Sequence, residues 1–152
     1  MRILVAEDEE SIALVYKAVL ESLGHEVIIV ADGEQCLQTL YAAADHSESF
    51  NIVILDHRMP KKSGVSVAAE IQLHWPNQKV IMLSAYVEDV IHATMQDLEH
   101  PVVCLQKPID LDLFGSIVED EAELHASSGN LGPSEPQLAV SRKSISKDTD
   151  AA

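Results

Sequence analysis

Basic residues are scarce in this chain. Lys and Arg total 10 against 25 Asp and Glu, a formal net charge of -15 over 152 residues. Nucleic-acid binders need clustered Lys and Arg to meet the phosphates, so no nucleic-acid partner is expected. Such a field attracts a metal cation or a basic protein surface instead. Long apolar runs are also missing. No stretch approaches the roughly 18 residues that mark a membrane span, so no membrane partner is expected. Met1–Asp8 leads straight into strand-like sequence, without the apolar run of about 7–15 residues of a signal peptide. Cysteine is limited to Cys36 and Cys104, both in segments that read as buried. Reduced thiols and a cytoplasmic location are the expectation. His25, His46, His74, His92, His100 and His125 have no zinc-site spacing and read as scattered surface residues.

What is present is an ordinary globular composition, 47% hydrophobic and 23% charged, enough for one domain with a real core. Short apolar runs rich in Val, Ile and Leu occur at Ile3–Ala6, Val27–Val30, Ile52–Leu55, Val80–Leu83 and Val102–Leu105. They lack strict alternation, as strands buried on both faces do in a parallel sheet. Helical spacing lies between them. Ser11 reads as the cap of a helix with Ile12, Val15, Tyr16, Val19, Leu20 and Leu23 on one side, stopped by Gly24. Glu34–Ala44 aligns Leu37, Leu40 and Tyr41. Gly64–Trp75 aligns Val65, Val67, Ala68, Ile71 and Leu73, with Pro76 beyond its end. Tyr86–Leu98 and Leu111–Leu124 complete the series. Five strand–helix repeats predict an α/β fold, a doubly wound parallel sheet with helices on both faces. A domain over 1–125 is expected, followed by a polar, aperiodic and disordered tail over 126–152 that carries Arg142, Lys143 and Lys147.

In such a fold the site lies at the carboxyl ends of the strands. The first run ends in Glu7-Asp8-Glu9, the third in Asp56, the fourth in Ser84-Ala85 and the fifth in Lys107-Pro108. Each alone is weak, since acidic loops are usually solvated and a lone Asp or Ser after a strand usually serves a turn. Together they place three carboxylates, a hydroxyl and an ammonium at one sheet edge. Clustered carboxylates repel and raise one another's pKa values unless a cation neutralises them. Mg²⁺ suits hard oxygen ligands, and Mn²⁺ is a substitute. With the metal bound, Asp56 can act as a nucleophile toward phosphorus. Ser84 and Lys107 would help to hold the phosphoryl oxygens.

The motif series Ile3-Leu4-Val5-Ala6-Glu7-Asp8-Glu9, Val53-Ile54-Leu55-Asp56-His57-Arg58-Met59-Pro60, Gly64, Met82-Leu83-Ser84-Ala85 and Lys107-Pro108 resembles the receiver domains of two-component response regulators over about residues 1–124. The resemblance implies a flavodoxin-like (βα)5 fold with strand order 2-1-3-4-5. It implies Asp56 as phosphoacceptor, Ser84 as the switch hydroxyl, Lys107 as the phosphate-pairing lysine, and a cis Lys107–Pro108 bond. The metal set it implies is Glu7, Asp8, Asp56 and the backbone carbonyl of Arg58. Arg58 and Tyr86 fall where the family tunes the lifetime of the phosphorylated form. The implied partners are a sensor histidine kinase or phosphotransfer protein and a downstream protein target. The expectation is a stand-alone monomer or weak dimer that promotes only its own phosphorylation and dephosphorylation. Two departures stand out: Glu7 replaces the commoner Asp, and Cys104 occupies a position usually aromatic.

Two other readings compete. A binding module that ignores phosphorylation would bind no Mg²⁺. A phosphatase with an aspartyl-phosphate intermediate would commonly carry a second Asp two residues after the nucleophile, where this chain has Arg58.

Overall fold

The computed structural model describes residues 1–128. The elements alternate as β1 (Arg2–Ala6), α1 (Glu10–Ser22), β2 (Glu26–Val30), α2 (Gly33–Asp45), β3 (Ile52–Asp56), α3 (Gly64–His74), β4 (Lys79–Ser84), α4 (Val87–Asp97), β5 (Val103–Gln106) and α5 (Leu111–Ser128). The strands pair in parallel in the order β2-β1-β3-β4-β5, so strand order reverses beside β1. The predicted fold class and order are those observed. α5 continues to Ser128, beyond the expected end of the domain at 125, and the tail expected from 126 otherwise lies outside the described residues.

Successive side chains of a strand point to opposite faces, which explains the lack of alternation in the apolar runs. Leu4, Val53, Leu55, Val80, Met82 and Cys104 face α2, α3 and α4. Ile3, Val5, Ile52, Ile54, Ile81, Leu83 and Val103 face α1 and α5, where Tyr16 meets Phe114 with ring centroids 4.9 Å apart. Both cysteines are free and buried. Burial pushes both thiols up to about 12, so neither serves as a nucleophile near neutral pH.

Helix ends depart from the sequence expectations in small ways. Ser11 is not the cap of α1: Glu9 occupies that position, and its side chain makes no capping bond. Asp32 caps α2 by accepting from the Gln35 N–H at 2.8 Å, and Ser63 caps α3. Gly24 takes φ +91 just past α1, as expected of a C-terminal glycine. The predicted apolar faces are too wide. Val15, Leu23, Tyr41 and Leu73 are exposed, because a helix touching one sheet buries a narrower stripe than its spacing permits.

Two titratable groups are internal. His25 was expected at the surface, yet its ring is buried, bridging the Met1 ammonium and Glu119. Glu121, within the acidic run Glu119-Asp120-Glu121, is also buried and faces Lys79 at 3.7 Å. Burial pushes the Glu121 carboxyl above the usual range, and Lys79 only partly opposes this. A carboxyl raised in the folded state contributes stability below its unfolded pKa and loses it as pH rises through the raised value. Glu121→Gln removes that titration. Urea midpoints should therefore shift in favour of the variant, relative to the parent, as pH rises from the ordinary glutamate range toward neutrality. Parallel pH curves would contradict this.

Candidate functional site

Parallel strands end together, so the residues closing β1, β3, β4 and β5 share one edge. Glu7 follows β1 and is fixed by its N–H donating to the Val30 carbonyl at 3.1 Å. Asp56 is the last residue of β3 and Ser84 the last of β4. Lys107 follows β5, with its N–H donating to the Ser84 carbonyl at 2.8 Å and a cis bond to Pro108.

These residues meet. Carboxylate oxygens of Glu7, Asp8 and Asp56 lie within 4.8 Å of one another. The Lys107 ammonium donates to Glu7 Oε2 at 2.8 Å and sits 3.1 Å from Asp56 Oδ1. Glu7 and Asp56 are buried while Asp8 is exposed, so the cluster opens to solvent on the Asp8 side. Burial raises the pKa of Glu7 and of Asp56, each is raised further by a carboxylate neighbour, and Lys107 opposes both shifts. Burial pulls the Lys107 ammonium down, but Glu7 and Asp56 together hold it above the usual lysine value. The cluster thus lacks positive charge despite Lys107. Three hard oxygen donors around an under-neutralised opening fit a small divalent cation.

The remaining predicted residues are placed nearby. The buried Ser84 hydroxyl accepts from the Tyr86 N–H at 3.0 Å. Arg58 is exposed, with its guanidinium 5.2 Å from the Tyr86 ring centroid. This cation–π contact spans the turns after β3 and β4. The turn carrying Arg58 is held at both ends: the His57 N–H donates to the Leu83 carbonyl at 2.9 Å, and the Gly64 N–H to the His57 carbonyl at 2.8 Å.

Sequence reasoning missed two contributors. Tyr16, read only as a core residue of α1, is buried close enough to Lys107, Glu7 and Asp56 to feel their charges, and burial raises its phenol pKa. Asp32 and Glu34 each lie 3.6 Å from Lys61, whose φ is +69. This ties the turn after Asp56 to the start of α2. A charge pattern alone does not reveal such pairs, since they join different strand–helix units.

Comparisons agree with this geometry. The sequence profile described as "Response regulator receiver domain" matches residues 3–120. Among curated proteins, Response regulator RR06 of Streptococcus pneumoniae is 37% identical over 102 residues, covering 64% of this chain and 42% of its own length. Transcriptional regulatory protein GlrR of Escherichia coli is 29% identical over 126 residues, covering 82% of this chain and 27% of its own. The chain thus spans less than half the length of these relatives. Among solved structures, response regulator protein TrrA of Thermotoga maritima in complex with Mg(2+)-BeF has a TM-score of 0.65 at 29% identity, covering 79% of this chain and 97% of that one. A receiver domain from Pseudomonas fluorescens has a TM-score of 0.73 at 22% identity, covering 86% of this chain and 92% of that one, a likeness of fold.

Proposed function

The chain belongs to the response regulator receiver domain family, and from that premise we propose that it accepts a phosphoryl group on Asp56 in a Mg²⁺-dependent reaction with a phosphohistidine donor. The observation that carries this reading is the meeting of Glu7, Asp8 and Asp56 with the Lys107 ammonium at one sheet edge. Asp8, Asp56 and the Arg58 backbone carbonyl would hold the metal. Glu7, with one more methylene than Asp and one oxygen committed to Lys107, would act through water. Bound Mg²⁺ would neutralise the carboxylates and the incoming phosphoryl oxygens. Mn²⁺ rests on the same ligand chemistry and has no separate support.

An oxygen of ionised Asp56 attacks phosphorus. The bond from phosphorus to the donor's imidazole nitrogen breaks, and its electron pair leaves with the imidazole. Burial raises the Asp56 pKa, so positive charge beside it favours the ionised form that acts as the nucleophile. Lys107, 3.1 Å from Asp56, would pair with a phosphoryl oxygen once one is present. The Ser84 hydroxyl would exchange the Tyr86 N–H for another such oxygen and so shift an equilibrium between two conformations. The acidic surface favours a basic protein face as downstream target.

The test is incubation with acetyl phosphate, followed by intact mass. One phosphoryl mass should appear with Mg²⁺ and none with EDTA; equal labelling in both would defeat the reading. In calorimetric titration, Asp8→Asn should weaken Mg²⁺ binding more than about tenfold, the scale on which even outer-sphere partners matter. An unchanged affinity would remove Asp8 from the metal set.

A further inference from the structure

The two ends of α4 are held very differently. At its N-terminus Tyr86 is the capping residue, with φ -129, ψ 76 and no side-chain capping bond. The first helical bond, from the Val90 N–H to the Tyr86 carbonyl, is long at 3.3 Å. What fixes the Tyr86 N–H is the Ser84 hydroxyl, at 3.0 Å. Tyr86 itself is exposed.

The C-terminal end is fastened from outside. Gln72, on α3, donates from Nε2 to the His100 carbonyl at 2.7 Å. Its Oε1 accepts from the Glu99 N–H at 3.1 Å and the His100 N–H at 3.3 Å. One side-chain amide thus satisfies three backbone groups of the connection between α4 and β5, which neither element supplies with partners of its own. Pro101 follows directly and restricts His100 to extended conformations. Inside the helix end, buried Thr94 donates to the Ile91 carbonyl at 2.9 Å, and the Leu98 N–H donates to the Thr94 carbonyl at 3.0 Å.

We propose that Gln72 is a clamp, and that α4 responds to phosphorylation by pivoting about its fastened C-terminal end. This rests on the proposed function, which supplies the trigger. When the Ser84 hydroxyl turns to a phosphoryl oxygen, the Tyr86 N–H loses its acceptor and the uncapped N-terminal turn is released. The connection over 98–100 stays bound to α3. The moving surface is then the first turns of α4, with Glu88, Asp89 and the exposed Tyr86, which suits a basic partner.

Hydrogen exchange read by mass spectrometry on the full chain tests this. Without phosphodonor, Gln72→Ala should speed exchange of the Glu99 and His100 amides roughly tenfold while leaving 85–91 unchanged. Under acetyl phosphate and Mg²⁺, the parent protein should lose protection over 85–91 and keep it over 98–100. In the variant the loss should extend through 98–100. Equal loss at both ends of the fully phosphorylated parent overturns the pivot alone, as does a Gln72→Ala variant that exchanges like the parent. If intact mass shows no phosphoryl group added, the proposed function fails and the pivot falls with its trigger.

Discussion

Asp56→Asn should abolish phosphoryl incorporation while leaving the fold intact. Asparagine has nearly the same shape as aspartate, but its amide has no ionised oxygen to attack phosphorus. Neither neighbouring carboxylate is placed to replace it: Glu7 Oε2 is held by Lys107 at 2.8 Å and Glu7 Oε1 accepts from the Glu9 N–H at 3.2 Å, while Asp8 is on the exposed side of the cluster. Phosphoryl mass after acetyl phosphate and Mg²⁺ should fall below detection. Stability gives an independent check. Burial raises the Asp56 pKa despite Lys107, so its ionised form is disfavoured in the fold. A raised carboxyl loses its stabilising effect as pH rises through the raised value. The asparagine variant, which does not titrate, should therefore match or exceed the parent's urea midpoint near neutral pH. Labelling that persists in the variant would reassign the acceptor. A collapsed midpoint would mean that the carboxylate is structural.

Gly64→Ala should cost about 1–3 kcal/mol of stability, the range for overfilling a packed interior, and should slow phosphorylation. Gly64 opens α3 directly behind Asp56. An added Cβ would lie 2.5 Å from the Asp56 carbonyl oxygen, 2.7 Å from Met82 Sδ and 3.0 Å from His57 Cα. The sulfur can swing away, but the backbone oxygen belongs to β3, and moving it displaces Asp56 itself. Gly24→Ala provides the contrast. There a Cβ meets nothing within 4 Å, but φ is +91. Backbone strain alone should cost about 1 kcal/mol, far from the site, with phosphorylation unchanged. Urea midpoints and initial labelling rates on both variants decide the matter. Equal loss of labelling in the two would mean that it reflects stability and not the position of Asp56.

Much of this was legible in the sequence because the relevant physics is local. A strand buried on both faces needs unbroken Val, Ile and Leu, and β1 through β5 show it. Parallel strands end at one edge, so Glu7, Asp8, Asp56, Ser84 and Lys107 could be brought together from their positions after those runs. Other features depend on contacts between distant segments. Glu121 faces Lys79, and His25 meets Glu119 and the N-terminal ammonium, across elements whose mutual placement periodicity does not specify. Leu73 and Tyr41 fit a helical face by spacing, but whether the sheet reaches that far is a property of packing. Gln72 is unremarkable in sequence; its role appears only once the connection before β5 lies against α3.

The most direct measurement is a crystal structure of the protein soaked with Mg²⁺ and beryllium fluoride. One ion is expected at about 2.1 Å from oxygens of Asp8, Asp56 and the Arg58 carbonyl, with beryllium bonded to an Asp56 oxygen and its fluorines contacted by Lys107 and Ser84. An ion bound away from Asp56, or beryllium fluoride on any other carboxylate, would contradict it.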